Sequence, residues 1–596
     1  CNDDRVIPGL RELARACQQH GSKICAQVHH GGPSSPRSLT GEQPIAASAI
    51  ARPEMYGYAA TETPRAITKE EIAKLVDQHA QGVRRCKEAG FDCVEIAAAH
   101  KYIINSFLSR AWNKRTDEYN GDIKARARIL MEILEASRAL VGPDYPILVR
   151  INGCEYIDKY GVANGITIED AKELAVLLQE SGMVDAIDIS SFPANNPKMQ
   201  NGIYTDLAAE IKKVVSMPVI TVGAITPEIG ERVLQEKKAD FIAIGRALFA
   251  DPELVNKVKE GRMEDIRPCL SCNNCNANLF GRYNCSVNAA FGREGEYAIK
   301  PAEKSKRVLV IGGGPGGMEA ATVAAQRGHK VTLAEKESRL GGLLVMASMI
   351  DERIYKLNKY MDRQVRKQGV NVLLGKEVTP QLIDEIKPDV VILAAGSATK
   401  VPDIPGINKP LVISSSAMAS GKGSFIMSFG YKFMQTSLGF SAAREFIKRF
   451  GMPVGKRVVV LGGDLAGVEI AEFLSRHGKT VTVLDPGEIV MDVESPPMPK
   501  LRKHFRQQLE EKKAEILTNV KFEEIKDKGI VITTKEGQKR TIDADNIILA
   551  MGQEPKNELA RKLEGKVPEI HVIGDCLQPL GIMEAIDAGA KVAREI

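Results

Sequence analysis

What this chain has little of narrows its class before any motif is read. No apolar run reaches the roughly 20 residues a bilayer span needs, so no membrane partner is expected. No block of lysine and arginine stands out. A formal net charge of +5 over 596 residues gives no reason to expect nucleic acid or another polyanion. The start shows no signal-peptide pattern, which places the protein in the cytoplasm, and it lacks an initiator Met, which reads as a truncated start. A secreted disulfide framework is missing too, because Cys1, Cys17, Cys25, Cys86, Cys93, Cys154 and Cys576 are scattered singly, as expected of reduced thiols. What is left is an ordinary globular balance, 44% hydrophobic and 26% charged, in a chain long enough for roughly three to five domains.

The other four cysteines are not scattered. Cys269, Cys272, Cys275 and Cys285 follow C-x2-C-x2-C-x9-C between two dissimilar halves. Three thiolates at two-residue spacing can wrap one face of a cubane iron–sulfur cluster while a later one closes the fourth corner. Structural zinc is the alternative, although it more often uses two separated C-x2-C knuckles. The pattern therefore points to a [4Fe–4S] cluster in segment 266–305, of which 286–305 reads as a polar linker.

Up to residue 265, short apolar runs alternate with amphipathic stretches, the signature of a parallel α/β arrangement. Strands are expected over 24–29, 91–98, 147–152, 186–190, 219–223 and 241–245, with helices such as 69–89, 123–141, 168–182 and 208–215. That is most of a (β/α)8 TIM barrel, with roughly the first quarter absent. In such a barrel chemistry sits at the C-terminal strand ends, which here carry Gln27, His29, His30, His100, Tyr102 and Arg150. Gly223 and the pair Gly245-Arg246 follow the last two strands and supply bare backbone N–H groups and a guanidinium, as a phosphate site requires.

These residues carry a family resemblance. Gln27-Val-His-His-Gly-Gly, the run from Phe91 through His100 and Tyr102, Arg115-Thr-Asp-Glu-Tyr-Asn-Gly and Ala243-Ile-Gly-Arg-Ala together resemble the old yellow enzyme family of FMN barrels, in its large multidomain branch. The resemblance implies that Gln27 and Arg150 hold the pyrimidine edge of FMN, and that Gly223, Gly245 and Arg246 hold its phosphate. It makes Tyr102 the proton donor and His100 a substrate-binding residue. Many relatives carry His where Ala97 stands, so the substrate clamp is altered and His29 or His30 is the candidate replacement.

The second half holds two dinucleotide patterns. Strand 306–311 runs into Gly312-x-Gly314-x-x-Gly317 and a helix, and Glu335 ends the next strand, where it can accept from a ribose hydroxyl. A second unit has Gly462 and Gly467 with Asp485 as its acid. Its middle glycine position is Asp464, a carboxylate where a pyrophosphate normally approaches, and Asp485 without an adjacent arginine favours NADH over NADPH. The pair looks like the disulfide-reductase type of nested Rossmann domains, in which Gly574 and Asp575 match a flavin contact. The expected organisation is an FMN barrel over 1–265, the cluster segment 266–305, FAD domain over 306–415, an inserted segment with the NAD(H) domain over 416–540, and the returning FAD domain over 541–596. Residues 414–455 contain an aromatic run, Phe425, Phe429, Tyr431, Phe433 and Phe440, expected to form a helix packed between domains. The function expected is a relay from NADH to FAD to [4Fe–4S] to FMN to an activated C=C bond of a small unsaturated substrate, in an enzyme that can be a homo-oligomer. An amine dehydrogenase of the trimethylamine dehydrogenase type and a catalytically silent flavoprotein are the alternatives.

Overall fold

The structure, a computed structural model, describes residues 3–53, 55, 61–192, 202–276, 278–279, 282–414, 437–488 and 508–596. The chain divides into two compact units, Cys1–Gly245 and Arg246–Ile596.

In the first unit six parallel strands lie side by side in chain order: Cys25–Val28, Cys93–Ala98, Ile147–Glu155, Ala186–Phe192, Val219–Thr221 and Phe241–Ile242. All-parallel sheets are covered on both faces, which is why the central strands read as continuous apolar runs. Val94, Ile96, Val149, Ile151, Ile187 and Ile189 are fully buried in one core with Ile72, Leu75 and Ile133. The helices start where local chemistry says they should. Thr68 and Glu71 form a reciprocal capping box on helix Lys69–Glu88, and Thr167 and Asp170 do the same for Ile168–Glu180. The single helix expected over 123–141 is two, Ile123–Arg126 and Arg128–Val141, because the chain turns at Ala127. There the fully buried Arg126 reaches Asp170 at 2.7 Å.

The second unit holds two five-stranded parallel sheets that share the arrangement of four strands and differ in the outer fifth, which follows the others in the chain in the first sheet and precedes them in the second. The first runs in the order Asn371–Leu374, Lys330–Glu335, Arg307–Ile311, Val390–Leu393, Glu569–Val572. The second runs Glu515–Leu517, Thr480–Leu484, Arg457–Leu461, Asn546–Leu549, Val412–Ser414. A three-stranded antiparallel meander, Lys521–Lys526, Gly529–Thr533 and Lys539–Asp543, sits within the second unit's sequence. This corrects the expected return point at 541. Strand Asn546–Leu549 pairs with Arg457–Leu461, and the chain rejoins the first domain only at Gln553–Pro555, which pairs with Ser397–Thr399.

Segment 286–305 is not a free linker. Val287, Ala289 and Tyr297 are buried in the core of the first nucleotide domain, Arg293 pairs with Asp587, and the Tyr297 ring lies between the guanidinium groups of Arg293 and Arg594 at 4.0 and 4.7 Å. Of that aromatic segment, helix Ser437–Phe450 is described: Arg444 donates to the Ser348 carbonyl at 2.9 Å and covers the Tyr355 ring, against which Phe440 stacks. Phe425, Phe429, Tyr431 and Phe433 lie outside the described residues. Among those described, no helix is long and apolar enough to cross a membrane.

Candidate functional site

The turn after strand Cys93–Ala98 is built by a buried polar chain. His100 sits at φ 62°, an uncommon conformation for a side-chain-bearing residue, and its N–H donates to Asn152 Oδ1 at 2.9 Å. Asn152 donates to Asn105 at 2.9 Å, Asn105 to Glu155 at 2.8 Å, and Ser109 to the other oxygen of Glu155 at 2.5 Å. A fully satisfied network of this kind holds its members in one arrangement. It leaves the His100 ring against Ser190 Oγ at 2.9 Å and starts helix Ile103–Leu108 directly after Tyr102. The Tyr102 ring centroid is 4.8 Å from that of His29 and 6.2 Å from that of His100. Burial brings the His100 imidazole down to about 4, and desolvation lowers His29 and His30 as well. Each of these shifts favours the neutral imidazole.

Beneath this mouth, Gln27 donates to Glu95, and Arg150 is held between Asp188 and Glu95, with its Nε 3.0 Å from Asp188 and 3.4 Å from Glu95. Burial, reinforced by Asp188, pushes the Glu95 carboxyl up to about 7 against the opposing pull of Arg150. Asp188 Oδ1 is buried without a hydrogen-bond partner among the described residues, so the set retains a polar atom for a ligand's donor and fits the polar edge of a flavin ring. Gly223 has φ 125°, and a Cβ there would lie 2.8 Å from the Tyr204 ring. A Cβ on Gly245 would meet nothing within 4 Å, which leaves its backbone open to a ligand. Arg246 behaves differently from expectation. Its guanidinium donates to Asn273 and lines the cysteine pocket.

That pocket is lined by Cys269, Cys272, Cys275 and Cys285 together with Arg246, Asn273 and Ser286. Ser271 and Asn273 both take left-handed backbone, φ 52° and 63°, folding the loop so that the Ser271 N–H donates to Cys269 Sγ at 3.4 Å. Cys272 Sγ lies 3.2 Å from Ser286 Oγ. Among the described residues no group of three or more His, Cys, Asp or Glu is placed to hold a metal ion. Sulfurs around one tetrahedral zinc lie about 3.8 Å apart given bonds of about 2.3 Å.

In the first nucleotide loop, Gly312 and Gly317 are forced by backbone contact, since a Cβ would come 2.3 Å from the Ala394 carbonyl and 1.9 Å from that of Gly312. Gly314 caps helix Pro315–Gln326 and has open space beside it, which fits a pyrophosphate at the helix N-terminus. Glu335 accepts from the Gly313 N–H at 2.7 Å and orders the loop. Gly574 turns at φ 62°, and Asp575 accepts from the Leu580 N–H at 3.3 Å. In the second loop Asp485 accepts from the Gly463 N–H at 2.5 Å. Asp464 caps its helix by accepting from the Gly467 N–H at 3.2 Å.

Several partners escaped the sequence. Glu95 and Asp188 around Arg150 left a signal, since each is a charge alternating within an apolar strand. Ser190 beside His100 and Asn273 beside Arg246 left none.

Comparison with known proteins agrees with this geometry. Residues 1–265 match the NADH:flavin oxidoreductase / NADH oxidase family, and residues 306–591 match the pyridine nucleotide-disulphide oxidoreductases. An NADH oxidase of Thermoanaerobacter brockii is 36% identical, with 100% of this chain aligned to 88% of that one. A cinnamate reductase of Clostridium sporogenes is 32% identical over 98% of this chain and 86% of its own. The solved structure of a 2-naphthoyl-CoA reductase in complex with 2-naphthoyl-CoA superposes with a TM-score of 0.88 at 30% identity, covering 100% of this chain and 88% of that one.

Proposed function

The chain belongs to the NADH:flavin oxidoreductase / NADH oxidase family, and on that premise we propose that it uses NADH to reduce an activated C=C bond in a small molecule: an enoate, an enoyl-CoA thioester or an enone. FMN in the first unit, FAD and NADH on the two glycine loops, and a [4Fe–4S] cluster on the four cysteines supply hydride and single-electron transfer when bound. The side chains do the rest. Gln27 and Arg150 hold the polar edge of the flavin ring, with Glu95 and Asp188 fixing the guanidinium. Gly223 and Gly245 offer backbone to its phosphate, Gly312, Gly314, Gly317, Glu335, Gly574 and Asp575 serve FAD, and Gly462, Gly467 and Asp485 serve NADH.

His100, neutral and fixed by Ser190, offers a ring nitrogen to a substrate carbonyl, and Tyr102 delivers its phenolic proton to the alkene carbon that does not receive hydride. The observation that carries this reading is the Tyr102 phenol set beside the His29 and His100 rings at the C-terminal strand ends. The cinnamate reductase and 2-naphthoyl-CoA reductase relatives supply the substrate class.

Tyr102→Phe tests it. In the anaerobically purified enzyme, NADH-driven flavin reduction should be unchanged while turnover of a good enoate or enone drops by about 10²- to 10⁴-fold, the usual range for a lost general acid. Turnover near wild type would make Tyr102 a packing residue. Failure of the wild-type enzyme to oxidise NADH against any enoate, enoyl-CoA or enone would remove the substrate class.

A further inference from the structure

Cys25 and Cys93 have no part in the chemistry above, yet they face each other. Strands Cys25–Val28 and Cys93–Ala98 run parallel in a register that pairs Cys25 with Cys93 and Gln27 with Glu95. The side chains of Gln27 and Glu95 touch, which fixes the face on which these positions point. Side chains two residues apart on a strand share a face, so both thiols project to that same face, about 6.6 Å further down the sheet. Neighbouring strands are spaced about 4.8 Å apart, within the range of about 4.4–6.8 Å between Cα atoms that a disulfide spans.

The two sulfurs already interact. The Cys25 thiol donates to the Ala26 carbonyl at 3.9 Å, and the nearness of the two sulfurs raises the Cys25 thiol and lowers that of Cys93. Cys25 is exposed and Cys93 partly so, whereas Cys86 on the neighbouring helix is buried and offers no accessible third thiol.

We propose that Cys25 and Cys93 are a reactive dithiol that closes to an intramolecular disulfide by exchange with a small-molecule disulfide. Cys93, as thiolate, attacks one sulfur of the external disulfide, forms a mixed disulfide and expels one thiolate. Cys25 then loses its proton, attacks Cys93 Sγ and expels the second thiol. The protein loses two electrons and two protons, and the external disulfide becomes two thiols. The bond would tie together the two strands that carry Gln27 and Glu95, one step from the residues assigned to the flavin ring.

Anaerobic holoenzyme should be incubated with oxidised glutathione, alkylated, digested and analysed by mass spectrometry. The expected product is a pair of peptides joined through Cys25 and Cys93, lighter by two hydrogens than their reduced sum and separated again by dithiothreitol. In Cys25→Ser the glutathione adduct should be trapped on Cys93, and in Cys93→Ser no joined peptide should form. Phenylarsine oxide, which bridges close dithiols, should protect both cysteines from alkylation in the wild type and neither in the single variants. Recovery of Cys25 and Cys93 each capped separately, or both unmodified after the same treatment, overturns the proposal.

Discussion

The two dinucleotide loops of the second unit are almost the same object. Gly312 and Gly462 have φ of 107° and 105°, a Cβ on either would come within 2.3 Å of a carbonyl oxygen, and Gly317 and Gly467 are closed off by the carbonyls of Gly312 and Gly462. In each, an acid at the end of the second strand accepts from the N–H of the residue after the first glycine. They differ at the middle position. Gly314 and Asp464 share φ −72° and both cap a helix, but one leaves the helix N-terminus open while the other fills it with its own carboxylate. The outer glycines are demanded by the backbone. The middle one is demanded only by a ligand, so Asp464 meets no backbone clash and its presence bears on binding.

Making the loops alike is the way to test that reading, and the largest effect should come from closing the open one. Gly314→Asp should lower FAD content per protein by about tenfold or more, because a carboxylate then competes with the pyrophosphate at the helix N-terminus, while circular dichroism remains that of wild type. Full flavin occupancy would show that the middle position does not control binding. Opening the closed loop is the reverse experiment. Asp464→Gly should reduce the KM for NADH by about 3- to 10-fold, the effect of about 1 kcal/mol at a helix N-terminus, with Asp464→Asn falling between. An unchanged or raised KM would count against it.

The acids provide a smaller contrast. Asp485→Ala should narrow the preference for NADH over NADPH by about 2- to 5-fold as the 2′-phosphate no longer meets a carboxylate, and a wild-type preference for NADPH would remove the assignment. The smallest effect is one of pH. Burial pushes the Asp464 carboxyl above its ordinary range, with Asp485 adding to the rise. Lowering the pH therefore neutralises the competing charge, and the KM for NADH should fall as pH falls. The profile should flatten in Asp464→Asn, and an identical slope in that variant would assign the titration elsewhere.

These loops were legible in the sequence because their requirement is local: a glycine forced by its immediate backbone, an acid one strand away. Buried parallel strands were legible for a similar reason, being apolar on both faces. What the sequence hid was long-range. The return of Asn546–Leu549 to the second sheet depends on which of two similar cores the strand enters, and its composition suits both. Segment 286–305 looked like a linker because it is polar and lacks periodicity, yet arginines and an aspartate distant in sequence pin it down. Arg246 is followed by no local hint that Asn273 will take its guanidinium. The pairing of Cys25 with Cys93 needs a strand register that no single strand encodes.

The clasp around Tyr297 has a consequence for how the protein is made. Asn274, inside the cysteine motif, reaches Met583, 309 residues later, and Arg293 and Tyr297 both bond to Asp587 on the same helix, Ile582–Glu595. Cys269 and Cys285 rest on the core to which Ile586 and Ala590 belong. A ribosome delivers the four thiols long before it delivers this helix, and at about 5–20 residues per second the interval is some tens of seconds. Throughout that time the nascent loop lacks one wall. The cluster proposed for these thiols would therefore find its loop complete only once helix Ile582–Glu595 has been made.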